Sequence, residues 1–266
     1  MIRLFQVDAF TDTPFKGNPA GVCILNEARA EEWMLKVAAE MNLSETAFVQ
    51  PMANGYSLRW FTPKTEVSLC GHATLATAHV LFEEGLLKKT EEALFQTKSG
   101  ILRATMRTDS IELDFPSMQI TPTESNPELN KALGISPLFT GVNAKANGKL
   151  YLLEVASQGI VEALVPDLAQ LSKADARAVI VTSRSYGGAY DFVSRFFAPA
   201  IGINEDPVTG SSHCYLAPYW AAKLGKKQLT GYQASRRTGM IVCRLEGDRV
   251  VLSGKAVTIF RAELMA

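Results

Sequence analysis

The feature that most constrains this chain is a statement made twice. Arg59-Trp60-Phe61-Thr62-Pro63, running on to Leu69-Cys70-Gly71-His72-Ala73-Thr74, is echoed by Arg195-Phe196-Phe197-Ala198-Pro199, running on to Thr209-Gly210-Ser211-Ser212-His213-Cys214. In both copies an aromatic strand pattern ends at a proline, an acidic loop follows (Glu66; Glu205 and Asp206), and a glycine opens a helical run. A second match runs in the same order: Gly100-Ile101-Leu102 to Leu113 aligns without gaps on Gly239-Met240-Ile241 to Leu252. The offsets, 136 and 139 residues, describe a duplicated unit of half the chain, too long and too few to be a solenoid array.

With 266 residues there is room for two domains of ordinary size. The Pro-rich polar stretch 116–128 is the best linker, so the expected division is 1–118 and 119–266, with the last strand packing back on the first domain. Formal net charge is zero and no basic run occurs, which argues against a nucleic-acid partner. No segment approaches the roughly 18 apolar residues of a membrane span, and the N-terminus lacks a signal-peptide core. Four cysteines without C-x-x-C pairs fit a reducing cytoplasm.

Hydrophobic periodicity predicts strands at 2–10 and 19–25 around a fixed polar turn, then an amphipathic helix at 29–41 carrying Trp33, Val37 and Met41 on one face. Strands are expected at 43–49, 56–62, 93–97, 101–107 and 110–115, with a buried Ala-rich helix at 71–86 on which Leu75, His79 and Phe82 share a stripe. In the second half the pattern predicts helices at 127–133, 167–173 and 211–224, the last with Pro218 inside it. Strands are expected at 150–156, 159–165, 178–182, 190–198, 231–235, 239–245, 249–253 and 256–264. Each half is many strands around one dominant apolar helix. The fold class is α+β, not a doubly wound parallel sheet. The apolar run 150–156 is a candidate dimer surface.

The chemistry follows from the duplication. Gly-led helix starts in equivalent places put backbone N–H groups at Gly71-His72-Ala73 and at Gly210-Ser211-Ser212, and a cleft between the halves suits a small carboxylated ligand. The competing reading is that both are simply capped helix starts, Thr209 and Ser211 being good capping types. Glu45 enters a strand of apolar neighbours, where desolvation raises a carboxyl pKa and makes a usable base; the bland alternative is a solvated edge charge. His72 is placed to donate to a substrate, Asp206 to orient His72 or hold an amine, while Glu205 is expected to be exposed and His79 a packed core residue. Cys70 and His72 with His213 and Cys214 match no zinc spacing, so no metal is expected. Neither a P-loop, a dinucleotide fingerprint nor a nucleophile elbow is present. Cofactor-free proton chemistry remains.

Six stretches taken together carry a family resemblance: Val7-Asp8-Ala9-Phe10-Thr11, Gly17-Asn18-Pro19-Ala20-Gly21-Val22, Leu43-Ser44-Glu45-Thr46-Ala47-Phe48, Arg59-Trp60-Phe61-Thr62-Pro63, Cys70-Gly71-His72-Ala73-Thr74 and Glu205-Asp206-Pro207-Val208-Thr209-Gly210-Ser211. They resemble the phenazine-biosynthesis isomerase (PhzF-like) family across most of the chain. The resemblance implies the diaminopimelate-epimerase-like fold, two pseudo-symmetric domains each rolling a mostly antiparallel sheet around a central helix. It also implies a cofactor-independent isomerase, usually a homodimer, in which Glu45 moves a proton on a cyclohexadiene amino acid, trans-2,3-dihydro-3-hydroxyanthranilate. His72 and Asp206 would assist, with Asn18, Gly71, Ala73, Gly210 and Ser211 around the substrate. Epimerases and racemases of that fold use two opposed thiols. Here Cys70 stands at the first place, but Pro207 stands at the second and Cys214 lies about two turns along the helix, so Cys70 reads as a small buried residue. A racemase, or a non-catalytic binding module on the same fold, are the alternatives.

Overall fold

The computed structural model describes residues 2–144 and 148–265. It divides into two units, Met1–Phe115 with Val251–Ala266, and Pro116–Val250.

In the first unit, β1 (Ile2–Ala9) runs antiparallel to β2 (Asn18–Ile24). The chain then crosses through helix α1 (Glu31–Met41) to lay β3 (Glu45–Met52) parallel to β2. Asn42 ends α1 in the left-handed conformation, as its short polar side chain permits. The face that α1 buries is Met34, Val37 and Ala38, with Trp33 and Met41 at its margins. The apolar stripe is therefore one residue off the predicted centre. β4 (Gly55–Phe61) pairs antiparallel with β3 and with the two-residue β5 (Glu66–Val67). Beyond α2 (Gly71–Glu83), β6 (Glu92–Thr97) lies parallel to β4, followed by β7 (Gly100–Met106) and β8 (Ile111–Pro116), each antiparallel to the strand before it.

The second unit repeats this order. After the short β9 (Thr121–Pro122) and α3 (Pro127–Leu133), β10 (Phe139–Asn143) pairs antiparallel with β11 (Leu150–Glu154). A crossover through the short helices α4 (Gln158–Glu162) and α5 (Leu168–Leu171) brings β12 (Ala178–Arg184) parallel to β11. β13 (Phe192–Ala198) is antiparallel to β12 and to the short β14 (Ile203–Asp206), and α6 (Gly210–Leu224) follows. β15 (Gln228–Gln233) is then parallel to β13 and antiparallel to β16 (Gly239–Glu246). The parallel–antiparallel–parallel–antiparallel sequence of pairings is that of β2, β3, β4, β6 and β7. β17 (Arg249–Gly254) leads to β18 (Ala256–Leu264), which returns to the first unit and pairs antiparallel with the whole of β1.

The parallel pairs β2–β3 and β11–β12 are buried on both faces along most of their paired length, which is why these strands read as nearly continuous apolar runs rather than alternations. Every residue of β11 is buried. One face packs on α3, α4 and α5 through Leu129, Leu153, Val161, Leu171 and Val181; the other packs on α6 through Leu152, Ile180, Leu216 and Trp220. That arrangement removes 150–156 as a dimer surface, because its side chains are already used inside the unit. In the first unit the inner face holds α2, packed on β1, β2, β3, β7 and β18 and buried at every residue from His72 to Ala78 and at Val80, Leu81 and Phe82.

Two sequence expectations need correction here. The segment 159–165 is not a strand: it runs through α4 to Glu162 and leaves the helix by a turn at Ala163. Its apolar residues Ile160, Val161 and Leu164 fit the spacing i, i+1, i+4 as well as a strand, and only Val161 and Leu164 are buried. β10 was not foreseen. It reads Phe139-Thr140-Gly141-Val142-Asn143, and a Cβ on Gly141 would stand 2.2 Å from an Ile120 methyl. Its pairing with β9 and β11, not its propensity, makes it a strand. The proline-rich stretch 116–128 is stitched down as well as connecting: Ser117 N–H donates to Asp248 O, Met118 N–H to Cys214 O and Thr123 N–H to Thr140 O.

The duplicated arginine proves to be one device built twice. Arg59 forks onto Glu66 (Nε–Oε1 2.8 Å, Nη2–Oε2 2.7 Å) and Arg195 onto Glu205 (2.7 and 2.9 Å). Each guanidinium also lies over the phenylalanine two residues on, 5.1 Å from Phe61 and 5.0 Å from Phe197. Each fork ties the strand before the turn to the short strand after it, β4 to β5 and β13 to β14, a few residues ahead of the following helix. Glu205 is accordingly half-buried and paired, not the exposed charge the sequence suggested.

Candidate active site

Three local features bring one cluster together in the first unit. Gly17, at φ +65°, has no space for a Cβ, which would stand 2.2 Å from Ala9 O. The turn so fixed delivers Asn18 to the start of β2, fully buried. Asp8, also buried, accepts from Phe15 N–H at 2.8 Å and holds the same turn from the other side. The parallel register Ala20↔Glu45 then sets Glu45, first residue of β3, beside that strand start. Third, α2 begins at Gly71 with Cys70 in extended conformation as its N-cap residue and no side-chain cap.

His72 is the hub. Its Nε2 lies 3.4 Å from Glu45 Oε2 and 3.4 Å from Ser44 Oγ; its Nδ1 lies 3.3 Å from Asn18 Nδ2 and 3.5 Å from Cys70 Sγ. The side chains of His72 and Glu45 are 7% and 13% exposed. Burial raises the Glu45 carboxyl pKa above its ordinary value, opposed by hydrogen bonds from Ser44 and Cys70. A carboxyl in that state exchanges a proton near neutral pH more readily than a solvated one. The reading of Glu45 as a solvated edge charge is thus overturned. Ala73 is buried one residue further along α2, and Gly71 is half-buried at its mouth.

Cys70 was read as a plain buried residue. It is buried, at 7% exposure, but its sulfur belongs to the cluster. Ser44 was missed although it adjoins Glu45. His79 is only partly buried and meets Thr258 Oγ1 at 3.1 Å and Glu83 at 3.7 Å, ordinary packing against the returning strand.

In the second unit, Asp206 ends β14 and Thr209 precedes α6. Thr209 Oγ1 donates to Asp206 Oδ2 at 2.5 Å, so the threonine is occupied there and caps nothing. Gln233, fully buried at the end of β15, accepts from Thr209 N–H at 2.9 Å and donates to Asp206 O at 2.7 Å. Nothing in the sequence marked Gln233, a polar residue late in an ordinary strand. Gly210 is buried, and Ser211 is exposed at the helix mouth. His213 and Cys214 point into the unit: His213 Nδ1 is 2.8 Å from Thr209 O, and Cys214 Sγ 3.9 Å from Gly210 O. Both helix starts therefore lack the side-chain caps that the competing reading required.

A family model described as phenazine biosynthesis-like protein matches residues 7–262. An uncharacterized isomerase of Halalkalibacterium halodurans is 53% identical over 263 residues, covering 98% of each chain. The crystal structure of a putative phenazine biosynthesis PhzC/PhzF protein from Clostridium difficile superposes with a TM-score of 0.91 at 40% identity, covering all of both chains. A probable proline racemase from Agrobacterium radiobacter shares the fold at a TM-score of 0.65, with 10% identity over 99% of this chain and 93% of that one. The α+β fold with a duplicated sheet-and-helix unit is thus the diaminopimelate-epimerase-like fold. With the match spanning nearly its whole length, the chain belongs to the phenazine biosynthesis-like (PhzC/PhzF) family.

Proposed function

We propose that this protein is an isomerase that moves a proton, and with it a double bond, on a small carboxylated, cyclic amino acid-like substrate, without a cofactor. The observation that carries this reading is the Glu45 carboxyl, raised in pKa by burial and held 3.4 Å from His72 Nε2. As carboxylate, Glu45 takes a proton from a carbon acidified by the neighbouring unsaturation. As carboxylic acid it returns the proton at the other end of the allylic system, so no net charge or redox change accumulates. His72, oriented by Asn18 and Ser44, stabilises the carboxylate while it carries charge. The start of α2, which has no side-chain cap, suits a substrate carboxylate through the N–H groups of Gly71 and Ala73. Isomerase names among the relatives support the reaction class. A cytoplasmic homodimer completes the proposal, checked by light scattering on the purified chain.

The test is proton NMR in D₂O with dihydro-hydroxyanthranilate and a panel of cyclic and acyclic amino acids. Glu45→Gln should slow deuterium uptake or double-bond migration about 10²- to 10⁴-fold. Racemisation is the second reading, because Cys70 Sγ sits in the same cluster. Exchange at an α-carbon that survives Glu45→Gln and disappears with Cys70→Ala would establish it instead.

A further inference from the structure

We propose that Glu45, Cys70 and His72 form a three-ligand site for a zinc-class divalent cation that competes with substrate. One ligand atom from each residue lies within 4.8 Å of the other two. The nearest gaps are 3.4 Å from His72 to Glu45 and 3.5 Å from His72 to Cys70. Tetrahedral zinc, with bonds of about 2.0–2.3 Å, sets its ligand atoms roughly 3.3–3.8 Å apart. Because those two gaps involve different imidazole nitrogens, a single nitrogen must serve the metal. For one ion to be held by all three, the ligand atoms, now within 4.8 Å of one another, must close to that spacing.

The donor set selects the cation. One thiolate, one imidazole and one carboxylate suit zinc, cobalt(II) or nickel(II), whereas magnesium and calcium require five or more oxygens that this cluster does not supply. Three protein ligands leave one position for water or for the carboxylate of a bound substrate, as in open rather than structural zinc sites. The sequence concealed the set. It pairs Cys70 and His72 by two-residue spacing, but the third ligand comes from a strand start 25 residues earlier that no motif connects. On binding, the Cys70 S–H bond breaks, its proton passes to buffer and a metal–sulfur bond forms; no oxidant or reductant is involved. Cation binding stands on geometry alone. Only its consequence, loss of Glu45 as a base, rests on the isomerase reading.

The full-length protein, treated with chelator and dialysed, is titrated with cobalt(II) near neutral pH. One equivalent should produce a near-ultraviolet thiolate-to-cobalt charge-transfer band with intense visible bands of four-coordinate cobalt, both erased by zinc. Cys70→Ser should abolish the charge-transfer band, which separates this thiol from Cys23, Cys214 and Cys243. Glu45→Gln and His72→Asn should each weaken cobalt binding at least about tenfold. A band that persists in Cys70→Ser, or unchanged affinity in Glu45→Gln, overturns the site. Should a variant fail to fold, the native protein still decides. Zinc must slow alkylation of Cys70, read by peptide mass spectrometry, and equal labelling with and without zinc refutes the proposal. If the D₂O assay finds no isomerisation, the cobalt spectrum still reports the site, so the two readings fail separately.

Discussion

Glu45 shows how a single residue's surroundings turn into two measurable consequences. Burial makes its folded-state pKa higher than that of the unfolded chain. The folded protein therefore holds the proton more tightly, and the associated stability is full at low pH and lost as pH rises through the raised value. Glu45→Gln should consequently melt at a higher temperature than the native protein at pH 8 and at about the same temperature at pH 4, while losing turnover; calorimetry at the two pH values checks this. His213 has the opposite sign. It is fully buried, its Nε2 has no hydrogen-bond partner among the described residues, and burial lowers its pKa from 6.5 to about 4. The folded state binds its proton more weakly than the unfolded state, so stability falls as pH drops from about 6.5 to about 4, by about 3 kcal/mol in all. Replacing His213 by Gln should flatten that part of the pH–stability curve in urea titrations.

Among the secondary-structure elements, the paired Arg–Glu forks tie β4 to β5 and β13 to β14, just ahead of α2 and α6. The second fork is the more deeply set: the Arg195 side chain is 11% exposed and Nη1 also donates to Leu164 O at 2.7 Å and Val161 O at 3.3 Å, beside α4. Arg59 is more open at 29%, and its partner Glu66 keeps a second cation in Lys98. Arg195→Leu removes the donor from Glu205 and from the Leu164 carbonyl, while Val161 O keeps its backbone N–H partner, and should cost about 2–4 kcal/mol. Arg59→Leu should cost about 1 kcal/mol. Urea denaturation of the two variants gives the ranking. Much at this level was legible in advance, because helices such as 127–133 carry their own start and stop signals: Asn126 accepts from the N–H groups of Glu128 and Leu129, Pro127 opens the first turn, and Gly134 closes it at φ +65°. The misread segment 159–165 carries no such signal. Its identity is settled by what it packs on.

Across the whole molecule, the returning strand makes the first unit depend on both ends of the chain. β18 lies along β1 from Ile2↔Leu264 to Ala9↔Ala256. A chain ending at Val250 should therefore leave β1 with an unpaired edge and the first unit unfolded; amide hydrogen exchange should show β1 and β2 unprotected, and native protection there would refute the dependence. Among the described residues, no helix is long and apolar enough to cross a membrane. The sequence by itself determined the duplication, most of the elements and the residue types capable of proton chemistry, because periodicity, capping and repeated motifs are local properties of the chain. Only the tertiary structure decided which of those residues meet. That Glu45 faces His72 and Cys70, or that Gln233 holds Asp206, depends on the register between strands distant in sequence and on where a buried helix begins, and neither quantity is encoded in any one stretch of residues.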